Sequence, residues 1–189
     1  AAQQQLLDST IQATRGEIYD TSGITLASTS VVWTIWADPS YSTALFTSTK
    51  NDDTGGVTKT ADPAALQEVS TRLLSGDGES LDSVDTSSEA YQTQYQTVYD
   101  ALSKSDSAYQ TLATKVNNAI KLSIEKYVTE YNKTHKKADA EQGIRKGRIS
   151  VSSTKSFQRD YPYGAFAASV LGFCVADGYG TYGLEKSYE

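Results

Sequence analysis

Ser152-Ser-Thr-Lys155 is the sequence pattern that comes nearest to a catalytic site. It fits Ser-x-x-Lys, in which the serine is acylated and a lysine one helical turn later helps to remove its proton. That chemistry needs a helix, whereas residues 148–154 alternate as a strand does, which would send Ser152 and Lys155 to opposite faces. No Ser-x-Asn or Lys-Thr-Gly follows. We therefore expect no catalysis at Ser152.

A second pattern, Gly178-Tyr-Gly180-Thr-Tyr-Gly183, matches the Gly-x-Gly-x-x-Gly fingerprint of dinucleotide sites. The fingerprint requires a preceding strand and a long following helix. Here a helix is predicted before it, and six residues follow Gly183. A glycine-rich turn is the better interpretation, and no cofactor is predicted.

Metal ligands are sparse in this sequence. His135 is the single histidine and lies in the basic segment Lys133-Thr-His-Lys-Lys137, and the acids of 77–89 lack the spacing of an EF-hand. Cys174 is the single cysteine and sits in an apolar run, where a small buried residue is the default interpretation. We predict no metal site and no intramolecular disulfide.

The net charge of −6 argues against a nucleic-acid surface, because phosphate binding relies on a basic footprint. Residues 51–107 contain eleven acids and three basic residues, whereas residues 121–148 contain eight basic residues and four acids. This split fits two solvated faces of a helical hairpin or a patch that binds a partner.

No run of 18 apolar residues occurs, and without methionine the chain is expected to begin inside a longer reading frame.

Periodicity and turn residues predict strands near both ends and helices between them. Asp62-Pro63 is a helix start signal, and that helix should reach Leu74. A stripe containing many tyrosines, from Tyr91 to Tyr127, predicts two further helices that pack together or form a recognition surface. The other predicted elements are a helix at 1–13, strands at 17–19, 24–27, 31–37 and 148–154, a loop at 48–60, a helix end at Gly143 and a helix at 164–173.

These elements predict an α+β fold with a small mixed sheet built from both ends of the chain. Residues 1–47 and 144–189 would form the base. Residues 48–143 would form an inserted, mainly helical head subdomain.

Three stretches together resemble the N-terminal module, called the dimerisation or pedestal module, of class B penicillin-binding proteins. Arg15-Gly-Glu-Ile-Tyr-Asp-Thr-Ser-Gly-Ile-Thr-Leu-Ala27 resembles its opening signature, with Thr21-Ser22 in place of the usual Arg-Asn. Arg159-Asp-Tyr-Pro-Tyr-Gly164, continued by Ala167 to Phe173, resembles the Arg-x-Tyr-Pro-x-Gly run. Gly180-Thr-Tyr-Gly-Leu-Glu-Lys-Ser-Tyr188 resembles Gly-x-x-Gly-Leu-Glu-x-x-Tyr.

The resemblance assigns a structural role to the motif residues, and none of them is expected to be catalytic. Charged side chains beside apolar segments need partners if they are buried, so we hypothesise that Arg15 or Arg159 pairs with Glu185. The alternative is that these charges are solvated. The motif residues are Arg15, Gly16, Asp20, Gly23, Arg159, Tyr161, Pro162, Gly164, Gly172, Gly180, Gly183, Leu184 and Glu185.

The resemblance also implies a setting outside the cytoplasmic membrane of a bacterium, with an anchoring helix before Ala1 and a peptidoglycan transpeptidase domain after Glu189. This chain would be the non-catalytic stem that positions that domain. Its expected partners are its own transpeptidase domain, proteins of elongation or division, and a second copy of the chain. The alternatives are a stand-alone, surface-exposed interaction module with the same fold, or an acyl-serine enzyme that uses Ser152.

Overall fold

The computed structural model describes residues 13–40, 46–50, 57–104, 106–141, 149–175 and 178–188. It confirms the α+β fold, with sheet strands from both ends of the chain and helices between them. In chain order the elements are β1 (Ile18–Tyr19), β2 (Thr25–Ala37), β3 (Phe46–Lys50), β4 (Val57–Ala61), α1 (Pro63–Leu74), α2 (Glu89–Ser103), β5 (Gln110–Val116), α3 (Asn118–Glu141), β6 (Val151–Asp160), α4 (Ala168–Leu171) and α5 (Gly183–Ser187).

The 13-residue strand β2 organises the main sheet, where it pairs with β1, β5 and β6. The pairings with β1 and β5 are antiparallel. Strand β5 corrects the sequence prediction, which continued a helical stripe through residues 109–116. The stretch Gln110-Thr-Leu-Ala-Thr-Lys-Val116 forms a strand because it pairs with β2, with Ile35 opposite Ala113, and this tertiary pairing overrides a weak local helical pattern.

A second, two-stranded sheet corrects the predicted loop at 48–60. Strands β3 and β4 pair antiparallel from Phe46 opposite Ala61 to Lys50 opposite Val57. Both strands are rich in threonine, which is polar enough to suggest a loop but is β-branched and fits a pleated strand. Residues 51–56 lie outside the described residues.

The chain divides into two compact units. The terminal unit comprises Ala1–Ser30 and Phe157–Glu189, and the helical unit comprises Val31–Ser156. The predicted boundaries at 47/48 and 143/144 stay a prediction. The predicted helix at 1–13 lies almost wholly outside the described residues, as does the predicted helix end at Gly143.

The described residues of the helical unit share a hydrophobic core. Helix α1 begins as predicted, with the Asp62 carboxylate accepting from the Ala65 backbone N–H at 3.2 Å and Pro63 in the first helical position. Tyr91 is buried, and Tyr95 and Tyr127 pack against the core, which favours packing for the stripe. The buried core residues are Ile35, Ala37, Ala65, Leu66, Val69, Leu73, Val98, Ala101, Leu102, Leu112, Val116, Ile120, Ile124, Val128 and Ile149.

In the terminal unit, the predicted helix at 164–173 is wrong except for the single turn of α4. Gly164 and Ala167 both adopt left-handed backbone angles, with φ of +55° and +54°. A right-handed helix cannot run through such residues, so the chain turns until Ala168. Among the described residues, no helix has both the length and the apolar character needed to cross a membrane.

Candidate functional site

The buried carboxylate of Glu185 lies between two guanidinium groups of the terminal unit. Arg15 Nε is 2.6 Å from Glu185 Oε2, and Arg159 Nε is 2.8 Å from Glu185 Oε1. Glu185 is only 1% exposed. Both arginines that the sequence offered as alternative partners therefore pair with it, and the hypothesis of an ion pair is confirmed.

The two arginines also bind backbone carbonyls. Arg15 donates through Nη2 to the carbonyl of Glu185 and through Nη1 to that of Gly178 at 3.4 Å. Arg159 donates through Nη1 to the Gly16 carbonyl at 2.7 Å and to Thr29 Oγ1 at 2.8 Å. The cluster thus joins the chain before β1, strand β2, the end of β6, the glycine-rich turn and α5.

Tyr161 extends the cluster towards Cys174. Its hydroxyl donates to Glu185 Oε1 at 3.1 Å and accepts the backbone N–H of Cys174 at 3.1 Å. Burial raises the pKa of Tyr161 and of the Cys174 thiol above their ordinary values. Both groups therefore stay protonated at neutral pH, and neither is an activated nucleophile.

The ionisation of Glu185 is set by two opposing effects. Burial by itself raises the pKa of this carboxyl group, but the hydrogen bonds from Arg159 and Arg15 outweigh it, so that the pKa lies below its ordinary value. Glu185 is consequently ionised at neutral pH. A general acid would need the opposite shift, so this carboxylate is suited to holding chain segments together.

The first motif forms a turn beside this cluster. The Asp20 carboxylate accepts the backbone N–H groups of Ser22 at 2.8 Å and Ile24 at 2.9 Å, and Gly23 follows with φ +83°. A residue with a Cβ is strained at that angle, which explains the glycine. In the second motif, Gly164 donates its N–H to the Tyr161 carbonyl at 2.9 Å across Pro162 and closes another turn.

Three motif glycines allow backbone segments to touch. An added Cβ would overlap the Tyr182 carbonyl at Gly172, the Glu185 carbonyl at Gly180, and the Val170 carbonyl at Gly183. The predicted glycine-rich turn is confirmed, because Gly180 bridges to Cys174 and a helix of only five residues begins at Gly183. These contacts hold α4 against α5.

A cavity of about 370 Å³ adjoins the ion-pair cluster. The charges in its lining cancel, because the lining contains two guanidinium groups and two carboxylates. Among the described residues, no group of three histidine, cysteine or carboxylate side chains could hold a metal ion. The lining residues are Arg15, Gly16, Glu17, Ile18, Tyr19, Arg159, Leu184, Glu185 and Tyr188.

The residues of the Ser-x-x-Lys pattern lie in strand β6, so Ser152 and Lys155, three positions apart, project from opposite faces. Ser153, between them, donates to Glu125 at 3.1 Å.

His135 lies on α3, where its Nδ1 is 2.7 Å from the Tyr131 carbonyl and its ring stacks on Tyr131. The contacts of Ser153 and His135 are structural.

Sequence reasoning did not find Thr29 or the carbonyls of Gly16 and Gly178 as partners of the arginines. Thr29 carries no local signal, because its contact with Arg159 spans 130 positions of the chain. Every residue has a backbone carbonyl, so the sequence gives no signal for these partners and only the fold reveals them.

The family model for the penicillin-binding protein dimerisation domain matches residues 10–189. The chain belongs to this family. It is similar to a peptidoglycan synthetase from Bifidobacterium adolescentis, with 23% identity and a TM-score of 0.43 over 93% of this chain and 27% of that chain. It is also similar to penicillin-binding protein 2X from Streptococcus thermophilus, with 22% identity and a TM-score of 0.47 over 93% of this chain and 22% of that chain.

The dimerisation-domain chain thus spans about a quarter of the length of these two solved structures. None of the curated proteins matches it.

Proposed function

We propose that this dimerisation domain is the non-catalytic, extracytoplasmic stem of a penicillin-binding protein. It positions a downstream peptidoglycan transpeptidase domain and offers a surface to elongation or division proteins. An N-terminal membrane helix of the parent protein anchors it. Membership of the family supports the link to penicillin-binding proteins.

The observation that carries the proposal is the Arg15–Glu185–Arg159 cluster. A stem that sets the position of another domain must hold the chain segment leading to that domain in a fixed orientation. Glu185 does this for α5, because its carboxylate and its carbonyl together receive three donors from two arginines on other segments. A buried ion pair with this geometry restricts orientation more than an apolar contact does.

The electrostatics of the site support a scaffold rather than an enzyme. The buried carboxylate has a lowered pKa, and the buried phenol and thiol have raised ones, so each group is held in its ordinary ionisation state. Catalytic acids, bases and nucleophiles generally show shifts in the opposite sense.

The intact parent protein provides the test. Its reading frame should continue past Glu189 into Ser-x-x-Lys, Ser-x-Asn and Lys-Thr-Gly motifs, and fluorescent penicillin should label that later serine. The parent with Glu185→Gln should keep the label and lose peptidoglycan cross-linking in cells, whereas Glu130→Gln, in the exposed pair with Lys133, should keep both. A reading frame without these motifs would support the stand-alone interaction module instead. Normal cross-linking by the Glu185→Gln parent would also count against the proposal.

A further inference from the structure

The guanidinium group of Arg159 has one nitrogen that the ion-pair cluster does not use. Its Nε donates to Glu185, and its Nη1 donates to the Gly16 carbonyl and to Thr29. Within the part of the chain that the structure describes, Nη2 is buried without an acceptor, and the side chain is only 8% exposed. Buried donors are nearly always paired, because an unpaired one costs free energy. This nitrogen therefore calls for an acceptor that the described residues do not provide.

The cavity of about 370 Å³ offers room for such an acceptor. Arg159 belongs to its lining, and so do Glu185 and Gly16, which bind Nε and Nη1. The guanidinium group thus lies at the wall of the cavity. Trp33 and Arg72 also have a buried unpaired nitrogen, but neither lines this cavity. Its volume is at the lower end of the range for small-molecule sites, so it suits a small ligand.

The distribution of charge around the cavity favours an anion with a single charge. Two guanidinium groups share the one buried carboxylate of Glu185, so the ion-pair cluster carries one excess positive charge. The other carboxylate of the lining, that of Glu17, is exposed and accepts the Tyr19 hydroxyl, and water screens its charge. One negative charge on a ligand would neutralise the excess, whereas Glu17 would repel a second.

The chemistry of the lining narrows the ligand further. A carboxylate is planar like the guanidinium group, and hydrogen bonds between the two are short and strong. The rest of the lining is largely apolar, with the half-buried side chains of Ile18 and Leu184 and the rings of Tyr19 and Tyr188. An apolar group next to the carboxylate would lose its contact with water there, which favours binding.

We propose that this cavity is a binding site for a small organic carboxylate. The carboxylate accepts from Arg159 Nη2, and its apolar group packs against Leu184 and the ring of Tyr188. A free carboxylic acid and the carboxyl terminus of a peptide both provide this chemistry. Since α5 supplies part of the lining, the bound ligand stabilises the terminal unit by mass action. The inference goes beyond the proposed stem function, which requires no ligand.

An NMR titration of the isotope-labelled chain with sodium benzoate is the first test. Backbone amide signals of residues 15–19 and 184–188 should shift and saturate, with a Kd of about 0.1–10 mM, as expected for a small ligand. Benzamide has nearly the same shape without the charge, so its Kd should be at least about tenfold higher. In the benzoate complex the Nη2 proton signal of Arg159 should move downfield, because a charge-assisted hydrogen bond forms.

Two further ligands distinguish the sources and the kind of anion. An acetylated dipeptide that ends in phenylalanine, with its carboxyl terminus free or amidated, tests for a peptide end. Tighter binding of its free form than of benzoate would assign the site to peptide termini, and binding of benzoate alone would assign it to free acids. Sodium phosphate at matched ionic strength tests for general anion binding.

A variant of the apolar wall links the binding to this cavity. Tyr188→Ala should raise the benzoate Kd at least about threefold, because it removes an aromatic contact. The Tyr188 side chain is 80% exposed, so its loss leaves the ion-pair cluster folded. The matched control is Tyr179→Ala, which removes a 61% exposed ring that does not line the cavity. It should leave the Kd unchanged.

Several results would overturn the inference. One is the absence of saturable shifts with both benzoate and the dipeptide. Equal affinity for benzamide would show an apolar contact without a role for the carboxylate, and equal affinity for phosphate would show a general anion site. A Kd that Tyr188→Ala leaves unchanged would place the binding elsewhere. Penicillin labelling and cross-linking in the parent judge the stem function separately.

Discussion

Arg159 and Glu185 stand 26 positions apart in the sequence, and in the terminal unit the Nε of the arginine donates to the carboxylate Oε1 of the glutamate at 2.8 Å. The Arg159 side chain is 8% exposed and the Glu185 side chain 1%, so water screens this contact very little. Arg15 completes the cluster from the other side of the carboxylate. The orientation of α5 therefore depends on the glutamate and both arginines.

Replacing Glu185 with glutamine should destabilise the chain strongly. The change leaves two guanidinium groups without their counter-charge, and removing one partner of a buried ion pair costs about 3–5 kcal/mol of unfolding free energy. Urea denaturation followed by circular dichroism measures this loss. Glu130→Gln is the control, because Glu130 pairs with Lys133 at 3.7 Å on the surface, where a pair is worth about 0–1 kcal/mol. Equal effects of the two substitutions would contradict the structural role of the cluster.

Acidification should weaken the wild-type chain partly through Glu185. Its folded-state pKa lies below the ordinary value, so its contribution to stability is present above the unfolded-state pKa and is lost as pH falls through the folded-state pKa. The urea midpoint of the wild type should therefore fall between about pH 5 and pH 3. The Glu185→Gln chain, measured over the same range, should show a shallower fall. Parallel curves would mean that Glu185 has the same pKa in both states.

Alanine at Gly172 should cost more than alanine at Gly23. Both glycines have positive φ, +78° at Gly172 and +83° at Gly23. Both substitutions therefore introduce the strain of a left-handed residue, about 1–2 kcal/mol. The Gly23 site has open space for the Cβ, whereas at Gly172 the Cβ would overlap the Tyr182 carbonyl. That overlap should add about 1–3 kcal/mol to the loss of unfolding free energy. Chemical denaturation of the two variants would resolve a difference of this size. Closely matched values would argue against tight packing of α4 on α5.

In the helical unit, Asp62→Ala should be more damaging than Ser88→Ala. Each residue caps a helix, and loss of such a cap costs about 1 kcal/mol. Asp62 has an additional partner, because its Oδ2 accepts the hydroxyl of Tyr131 at 2.7 Å. The free energies of unfolding of the two variants test this order. A larger loss in Ser88→Ala would contradict a stabilising role for the contact between Asp62 and Tyr131.

Local signals in the sequence predicted those parts of the fold that depend on neighbouring residues. The aspartate–proline start of α1 is such a signal, because the Asp62 carboxylate accepts a backbone N–H only three positions later in the chain. Strand β5 could not be predicted in this way. Its identity depends on pairing with Trp33 and Ile35, about 80 positions earlier, and not on its own weak periodicity.

The same distinction applies to the candidate site. The charges of Arg15, Arg159 and Glu185 beside apolar segments were enough to predict an ion pair, because a buried charge requires a partner. That both arginines bind the one carboxylate is a consequence of the fold. The break before α4 was missed because Ala167 is an ordinary helix former, and its left-handed angle is imposed by its surroundings.

The proposed scaffold role excludes acyl-serine chemistry in this chain, and incubation with a fluorescent penicillin tests it most directly. The folded chain is exposed to an excess of the reagent, and its intact mass is then measured. We predict no covalent adduct, because Ser152 and Lys155 project from opposite faces of β6. Stoichiometric labelling at Ser152 would contradict the claim.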